Sequence, residues 1–205
     1  MRNSLITSLA LLSFIAPLAA HATDLSTGVA AYTVITPAIT IAPAVDILNP
    51  NGGWLANIPG ATWVNVSGSG TAADPAGTYY YITTFITTGA SLLSGSFAAD
   101  NDASVYVTPS GDPLGAPLAS DVYGPPYGFD TVTSFSSALA AGNYSLMFVV
   151  TNGDLAAGGT DGDGPTGLLA HVTDTVAATP EPSSLVLLGT GILGLAGAVR
   201  RKLRS

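Results

Sequence analysis

The ten residues 78–87, TYYYITTFIT, decide the fold class of this chain. All of them are aromatic, β-branched or hydroxyl-bearing, and these residue types favour extended backbone. Tyr79 and Tyr81 belong to one alternating set of side chains, and Tyr80 and Ile82 belong to the other. Because both sets are largely apolar or hydroxylic, the pattern predicts a central β-strand with one face covered and the other only partly exposed to water.

Seven more runs of this kind surround that strand, separated by turn clusters rich in glycine, proline, asparagine and aspartate. Between residues 23 and 179, no apolar period of 3.6 residues is long enough to predict a helix. The sequence therefore predicts an all-β fold, an antiparallel β-sandwich of the jelly-roll type. The predicted strands are 29–35, 61–66, 78–87, 90–97, 103–108, 130–135, 144–151 and 166–173.

Charge is distributed very unevenly along the 205 residues. The formal net charge is −8, yet no Lys or Arg occurs between Asn3 and Val199. Twelve aspartates lie from Asp24 to Asp174, so this middle region carries about −12 without a Lys or Arg partner. Such a region cannot neutralise phosphate, which excludes a nucleic-acid partner. The absence of cysteine excludes a disulfide scaffold, a thiol nucleophile and a thiolate zinc site.

Residues 1–22 have the layout of a secretory signal peptide. Arg2 gives the positive start, an apolar stretch follows, and the small residues Ala20 and Ala22 form an A-x-A cleavage site. Cleavage after Ala22 makes Thr23 the first residue of the mature protein. The alternative is a first transmembrane helix that is retained, but the short apolar run favours cleavage.

Three features follow one another at the other end of the chain. Pro180, Glu181 and Pro182 come first, 17 uncharged residues at 183–199 come next, and a basic cluster closes the chain. Seventeen helical residues span about 25 Å, enough for a thin bilayer, and basic residues favour the cytoplasmic side. The sequence thus predicts a transmembrane helix at 183–199, with a plain membrane anchor as the alternative to a sorting signal. The basic tail consists of Arg200, Arg201, Lys202 and Arg204.

This order of features resembles the PEP-CTERM sorting signal of Gram-negative bacteria that make exopolysaccharide. The resemblance covers the last 26 residues, 180–205. It implies recognition by exosortase, a membrane-embedded transpeptidase of the cysteine-protease type, while the precursor is transiently anchored in the inner membrane. It also implies delivery to the cell surface or the extracellular space. The predicted domains are a signal peptide at 1–22, a β-sandwich ectodomain at 23–179 and the sorting signal at 180–205.

A series of aromatic, glycine and Asx residues runs through the middle region. It consists of Trp54, Trp63, 77–81, 84–85, Leu92, 95–102, 105–107, Phe129, Phe135, 141–144, Leu146, 148–150, Asn152 and 164–168. The series is similar to the jelly-roll ectodomains of PEP-CTERM proteins, which resemble galactose-binding β-sandwiches. This second resemblance covers about residues 49–172 and implies the same sandwich fold.

The sequence contains few of the residue patterns that a catalytic site requires. His171 is the only histidine left after removal of the signal peptide, and no serine lies in a G-x-S-x-G motif. The glycine-rich stretch 162–167 lacks the Gly-Lys-Ser/Thr that binds phosphate. Pairs of aspartates can act on glycosides, but no spacing singles one pair out. We expect no catalytic residues, and a glycan-active hydrolase is the weakest alternative.

Two acidic turns offer oxygen ligands to calcium, the candidate cofactor, which takes six to eight of them. One turn contains Asp161 and Asp163, with Asp154 nearby, and the other contains Asp100 and Asp102. The closing glutamate of an EF-hand is missing from both. The alternative is a metal-free turn in which the aspartate side chains accept bonds from the local backbone.

Aromatic side chains suggest where a glycan could bind. Tyr123 and Tyr127 lie in a loop rich in glycine and proline, where an exposed ring is more often functional than structural. Trp54 is a third candidate, although Trp54 and Trp63 can instead fill the core. The sequence as a whole predicts an exported, non-catalytic surface or matrix protein associated with exopolysaccharide. A carbohydrate-binding module with a specific glycan site is the alternative.

Overall fold

The computed structural model describes residues 20–121, 128–153, 164–177 and 184–203. Ala20–Ala177 forms one compact unit, which contains all the strands, and the C-terminal helix belongs to a second unit. The strands are β1 Ala22–Asp24, β2 Thr33–Ile35, β3 Ile41–Pro43, β4 Val45–Asp46, β5 Val64–Asn65, β6 Gly77–Thr87, β7 Ser91–Asp100, β8 Asp102–Pro109, β9 Ala119–Ser120, β10 Thr133–Leu139, β11 Gly142–Asn152 and β12 Gly167–Val176. The helix is α1, Ser184–Lys202.

The strands form two six-stranded sheets. Sheet I has the order β10-β7-β12-β5-β4, with β1 also pairing with β12, and sheet II has the order β3-β2-β6-β11-β8-β9. Every strand pair in the described part of the chain is antiparallel. The long strands alternate between the sheets along the chain, so β6, β8 and β11 lie in sheet II while β7, β10 and β12 lie in sheet I. This alternation is the jelly-roll pattern, and it confirms the predicted all-β sandwich.

Strand β6 is central, as the quoted stretch predicts. It pairs with β11 over its whole length and with β2 on its other side. Tyr79 and Tyr81 are fully buried between the sheets, whereas Tyr80 and Ile82 are half-buried on the outer face. The side-chain alternation therefore predicted both faces of this strand correctly.

The main core lies between the two sheets and is rich in phenylalanine. The rings of Phe97 and Phe148 meet edge to face with centroids 5.5 Å apart, and Phe135 meets Phe148 at 6.2 Å. Tyr32 is also buried there, and its hydroxyl donates to the Leu25 carbonyl at 2.7 Å. Each of the two edge-to-face phenylalanine pairs stabilises the fold by about 1 kcal/mol beyond the contribution of its buried area.

A second cluster packs on the outer face of sheet I. Trp54 and Trp63 stack there with ring centroids 4.4 Å apart, on strand residues that include Leu169. Both indoles are buried, so these tryptophans fill the core. The stack needs Gly167 beneath it, because a Cβ on that glycine would lie 2.9 Å from the Trp54 ring.

Helix α1 ends on the basic residues Arg200, Arg201 and Lys202, whose charges are favourable near the negative end of a helix dipole. Among the described residues, no helix combines the length and apolar character that a membrane crossing requires. The transmembrane helix predicted at 183–199 therefore stays a prediction.

Candidate functional site

A groove of about 490 Å³ lies on the outer face of sheet II. The register places Ile35 opposite Tyr80 on β6, Ile82 opposite Met147 on β11, and Met147 opposite Tyr106 on β8. Its size lies within the range of small-ligand sites. The residues lining it are Ile35, Thr36, Pro37, Ile39, Thr78, Tyr80, Ile82 and Met147.

Hydroxyl groups and one carboxylate lie on the same face of sheet II, on β8 and β9 beyond β11. Ser104 lies opposite Ser120, and their hydroxyl oxygens are 2.7 Å apart. Asp102 lies opposite Thr151 at the end of the face. Tyr80 and Tyr106 are two strands apart and offset by two residues along the strands, which is a separation of about 12 Å from standard strand spacings. Rings and hydroxyls in this arrangement suit a flat ligand with apolar faces and hydroxyl edges.

The rim of the groove is a strained turn. Ile39 has a positive φ of 58°, which is unusual for a β-branched residue, and its side chain is 83% exposed. Its amide donates to the Thr36 carbonyl at 2.8 Å, and the Thr36 amide donates to the Thr40 carbonyl at 3.0 Å. Strain on an exposed apolar residue is typical of functional positions.

Ile39→Gly is expected to stabilise the sandwich by about 1 kcal/mol, because glycine adopts positive φ without strain and this gain exceeds its extra unfolded-state entropy. Thermal unfolding measures this as a rise in Tm of about 2–4 °C for a domain of this size. Ile39→Ala is the control, since alanine removes the same exposed side chain and keeps the strain. An equal rise in both variants would mean that the backbone at residue 39 is not strained.

In the acidic turn between β7 and β8, the first aspartate, Asp100, has a structural role. Asp100 is buried, and its Oδ2 accepts from Trp54 Nε1 at 2.8 Å while its Oδ1 accepts from Asn101 Nδ2 at 2.7 Å. Asp102 lies on the outer face of sheet II. The described part of the chain contains no group of three or more His, Asp or Glu side chains placed to hold a metal. Asp154, Asp161 and Asp163 lie outside the described residues, and calcium binding stays a prediction.

Burial disfavours the charged form of two carboxyl groups near the turn between β7 and β8, those of Asp100 and Asp121. Burial raises the pKa of Asp100 to about 6, against the opposing effect of the Trp54 hydrogen bond. Burial also raises the pKa of Asp121 to about 6, with a further contribution from the charge of Asp102 and an opposing hydrogen bond from the Ala103 amide.

The ectodomain is therefore expected to be more stable at pH 4.5 than at pH 7.5. An unfolded aspartate titrates near 3.9, so a folded pKa of about 6 at Asp100 and Asp121 contributes stability that is complete below about pH 4 and lost as the pH rises through 6. Asp24 acts in the opposite sense, because its hydrogen bonds from Ser26 lower its pKa. Thermal unfolding at constant ionic strength measures the difference.

Asp100→Asn is the matched variant for this pH dependence, since it keeps the shape and an acceptor for Trp54 but does not titrate. It should flatten the decline in stability above pH 5. A wild-type protein that is equally stable at both pH values would contradict the assignment.

Asp24 of β1, Ser26 after it and His171 of β12 lie close together, yet they do not form a hydrolase site. Ser26 Oγ lies 3.1 Å from His171 Nδ1 and also accepts from the Val172 amide at 3.1 Å, while Asp24 Oδ1 accepts from the Ser26 amide at 2.9 Å. Ser26 is fully buried, so no substrate reaches its hydroxyl. These contacts hold residues 24–26 against strand β12. The sequence pattern did not predict them, because Ser26 and His171 are 145 residues apart.

Of the three aromatic residues predicted to bind a glycan, the structure describes only Trp54. Tyr123 and Tyr127 lie outside the described residues, and Trp54 is buried with its ring against Trp63. The half-exposed tyrosines of the groove face lie on strands, at Tyr80 and Tyr106. The alternation in residues 78–87 separates Tyr80 from its buried neighbours Tyr79 and Tyr81. This pattern was the signal in the sequence that could have identified Tyr80 as an accessible ring.

Solved structures similar to this chain include carbohydrate-active proteins. A family 35 carbohydrate binding module from Clostridium thermocellum has 11% identity and a TM-score of 0.43, covering 77% of this chain and 99% of the module. The CBM36-1 domain of a multidomain xylanase from the hindgut metagenome of Trinervitermes trinervoides has 13% identity and a TM-score of 0.36, covering 78% and 100%. A GH2 beta-galacturonidase from Eisenbergiella tayi, bound to galacturonate, has 14% identity and a TM-score of 0.38, covering 74% and 24%. No curated protein matches the chain.

A family match locates the sorting segment. Residues 178–202 match the family described as the PEP-CTERM protein-sorting motif. The match begins at the residue after Ala177, where the compact unit ends, and runs to Lys202, the last residue of α1. It includes Glu181 and its two flanking prolines, which lie outside the described residues. The chain therefore carries a PEP-CTERM protein-sorting motif at its C-terminal end, as the three-part order of its last residues suggested.

Proposed function

We propose that this chain is the precursor of an exported, non-catalytic surface or matrix protein. The signal peptide at 1–22 directs export, exosortase processes the chain at the segment that begins with Pro180, and the β-sandwich is released to the cell surface or the extracellular space. The sorting motif at 178–202, directly after the sandwich, is the observation that carries this proposal.

The charge distribution supports the same route. Between Asn3 and Val199 the chain has no Lys or Arg, whereas Arg200, Arg201 and Lys202 form the last turn of α1. A cluster of basic residues is retained on the cytoplasmic side, while the acidic sandwich carries no positive charge that would hold it there. Each part of the chain thus fits one stage of export.

Mass spectrometry of the surface fraction of the producing bacterium tests the proposal. The expected mature protein begins at Thr23 and lacks residues 183–205. Mature protein that still contains residues 183–205 would make the C-terminal segment a plain anchor. A chain that keeps residues 1–22 would exclude export by a cleaved signal.

A second candidate function is the binding of a neutral polysaccharide on the outer face of sheet II. The groove beside Tyr80 is its supporting observation, together with Tyr106 and the hydroxyls of Ser104 and Ser120 on the same face. Tyrosine rings can stack on the apolar face of a sugar, and the hydroxyls can exchange hydrogen bonds with its edge. Within the rows of paired strand residues, Asp102 is the only acidic residue on this face, which favours an uncharged ligand.

Tyr80→Ala and Tyr106→Ala are each expected to weaken binding of the bacterium's own exopolysaccharide by about five- to 150-fold, the effect of losing about 1–3 kcal/mol of ring contact. Isothermal titration calorimetry on the exported protein measures this loss. Leu92→Ala is the control, because Leu92 is half-exposed on sheet I. Binding that is unchanged in both tyrosine variants would remove this face as the glycan site.

A further inference from the structure

One buried carboxylate of the sandwich has no hydrogen-bond partner in the part of the chain that the structure describes. Asp174 on β12 is 0% exposed, and neither of its side-chain oxygens accepts a hydrogen bond from any residue that the structure describes. It lies opposite Leu93 of β7, on the same inner face as Val172. A buried carboxylate without a partner is costly, so a counter-charge at this position would stabilise the fold markedly.

The sequence limits what this counter-charge can be. There is no Lys or Arg between Asn3 and Val199, and His171 is engaged with Ser26. The remaining cation that the sandwich can supply from its own chain is an α-amino group. Cleavage after Ala22 creates one at Thr23.

The register places that amino group beside the carboxylate. Thr23 of β1 lies directly opposite Asp174 of β12. On one side the Val176 amide donates to the His21 carbonyl at 2.9 Å, and on the other the Leu25 amide donates to the Val172 carbonyl at 2.9 Å. Alternate pairs of an antiparallel ladder are hydrogen-bonded, so the Thr23 nitrogen points at β12, with Cα atoms about 5.5 Å apart.

We propose that removal of the signal peptide after Ala22 turns the Thr23 nitrogen into an ammonium group that pairs with the buried carboxylate of Asp174. This inference rests on the proposed export of the chain. In the precursor the same nitrogen is an uncharged amide, and no residue that the structure describes gives the carboxylate a counter-charge. Maturation therefore completes the core at the edge where the chain enters the sandwich.

Amine labelling tests the pair directly. The full chain, exported by a host without exosortase, has two primary amines after signal removal, at Thr23 and Lys202. Reductive methylation at pH 7.5 followed by mass spectrometry gives the labelling rate of each. We expect the Thr23 amine to react at least about tenfold faster in Asp174→Asn than in the wild type, since each unit by which the pair raises the amine pKa lowers the neutral fraction tenfold. Lys202 is the internal reference, and Asp112→Asn, which removes an exposed charge, should leave both rates unchanged.

An alanine inserted between Ala22 and Thr23 is the second variant, in case Asp174→Asn does not fold. It moves the amine one residue outward and should also raise the labelling rate. A mature N-terminus at Thr23 with equal rates in wild type and variants would overturn the pair and leave export intact. Cleavage at another residue would also overturn the pair. A chain that is not cleaved at all would overturn the export proposal as well.

Discussion

Replacing Glu181 with alanine is expected to stop C-terminal processing, so that the full-length chain accumulates and the surface fraction loses the mature protein. Glu181 is the only charged residue between Asp174 and Arg200. Proline blocks a helical hydrogen bond and biases the residue before it toward extended backbone, so the sequence predicts an extended segment around Glu181. A processing enzyme can recognise an extended segment with a single negative charge, whereas a plain membrane anchor does not need such a segment.

Asp112→Ala is the control for this experiment, because it also removes one negative charge but leaves the sorting segment unchanged. Immunoblotting of membrane and surface fractions shows where each variant accumulates. The prediction is contradicted if Glu181→Ala reaches the surface with the same shortened mass as the wild type.

Trp54→Ala is expected to destabilise the ectodomain by about 3–5 kcal/mol, the range for deleting a large buried aromatic side chain. Trp54 is 8% exposed and stacks on Trp63 with centroids 4.4 Å apart. The substitution also leaves the buried Asp100 without its indole donor, and the loss of a hydrogen bond to a charged group adds to the penalty. Chemical denaturation of the exported protein measures the change in the free energy of unfolding.

Trp54→Phe separates the two contributions, because it keeps an aromatic ring against Trp63 and removes only the indole N–H and some volume. We expect it to lose less than half as much stability as Trp54→Ala. Equal losses in the two variants would show that ring packing matters little and that the bond to Asp100 dominates.

The sequence predicted the long strands well because each carries its own signal. The runs that became β6, β7, β8, β10, β11 and β12 combine alternating apolar residues with turn residues at both ends, and this local pattern suffices to favour a strand. The short strands have no such signal. Strands β1, β3, β4 and β9 are two or three residues long and exist because a neighbouring strand offers backbone partners, which no local pattern reveals.

The candidate site was harder to predict than the fold. The groove depends on which residues lie side by side on β2, β6 and β11, and this register is set by contacts distant in sequence. The loop rings that the sequence singled out, Tyr123 and Tyr127, lie outside the described residues, so their role in glycan binding stays a prediction. Trp54 illustrates the same limit, because its burial depends on Gly167, more than a hundred residues away.

The pairing of the first and last strands determines which end of the sandwich faces outward. Ala22 lies opposite Thr175, so the chain enters and leaves the domain side by side. Gly167, at the far end of β12, lies opposite Asp100, about 30 Å from the exit at the usual rise per residue. Molecules attached to a surface through their C-terminal side would all point the end that carries Asp100, Asp102 and Asp121 away from it. A dense layer of such molecules would have a negatively charged outer surface. That surface would repel neighbouring layers and concentrate divalent cations from the medium.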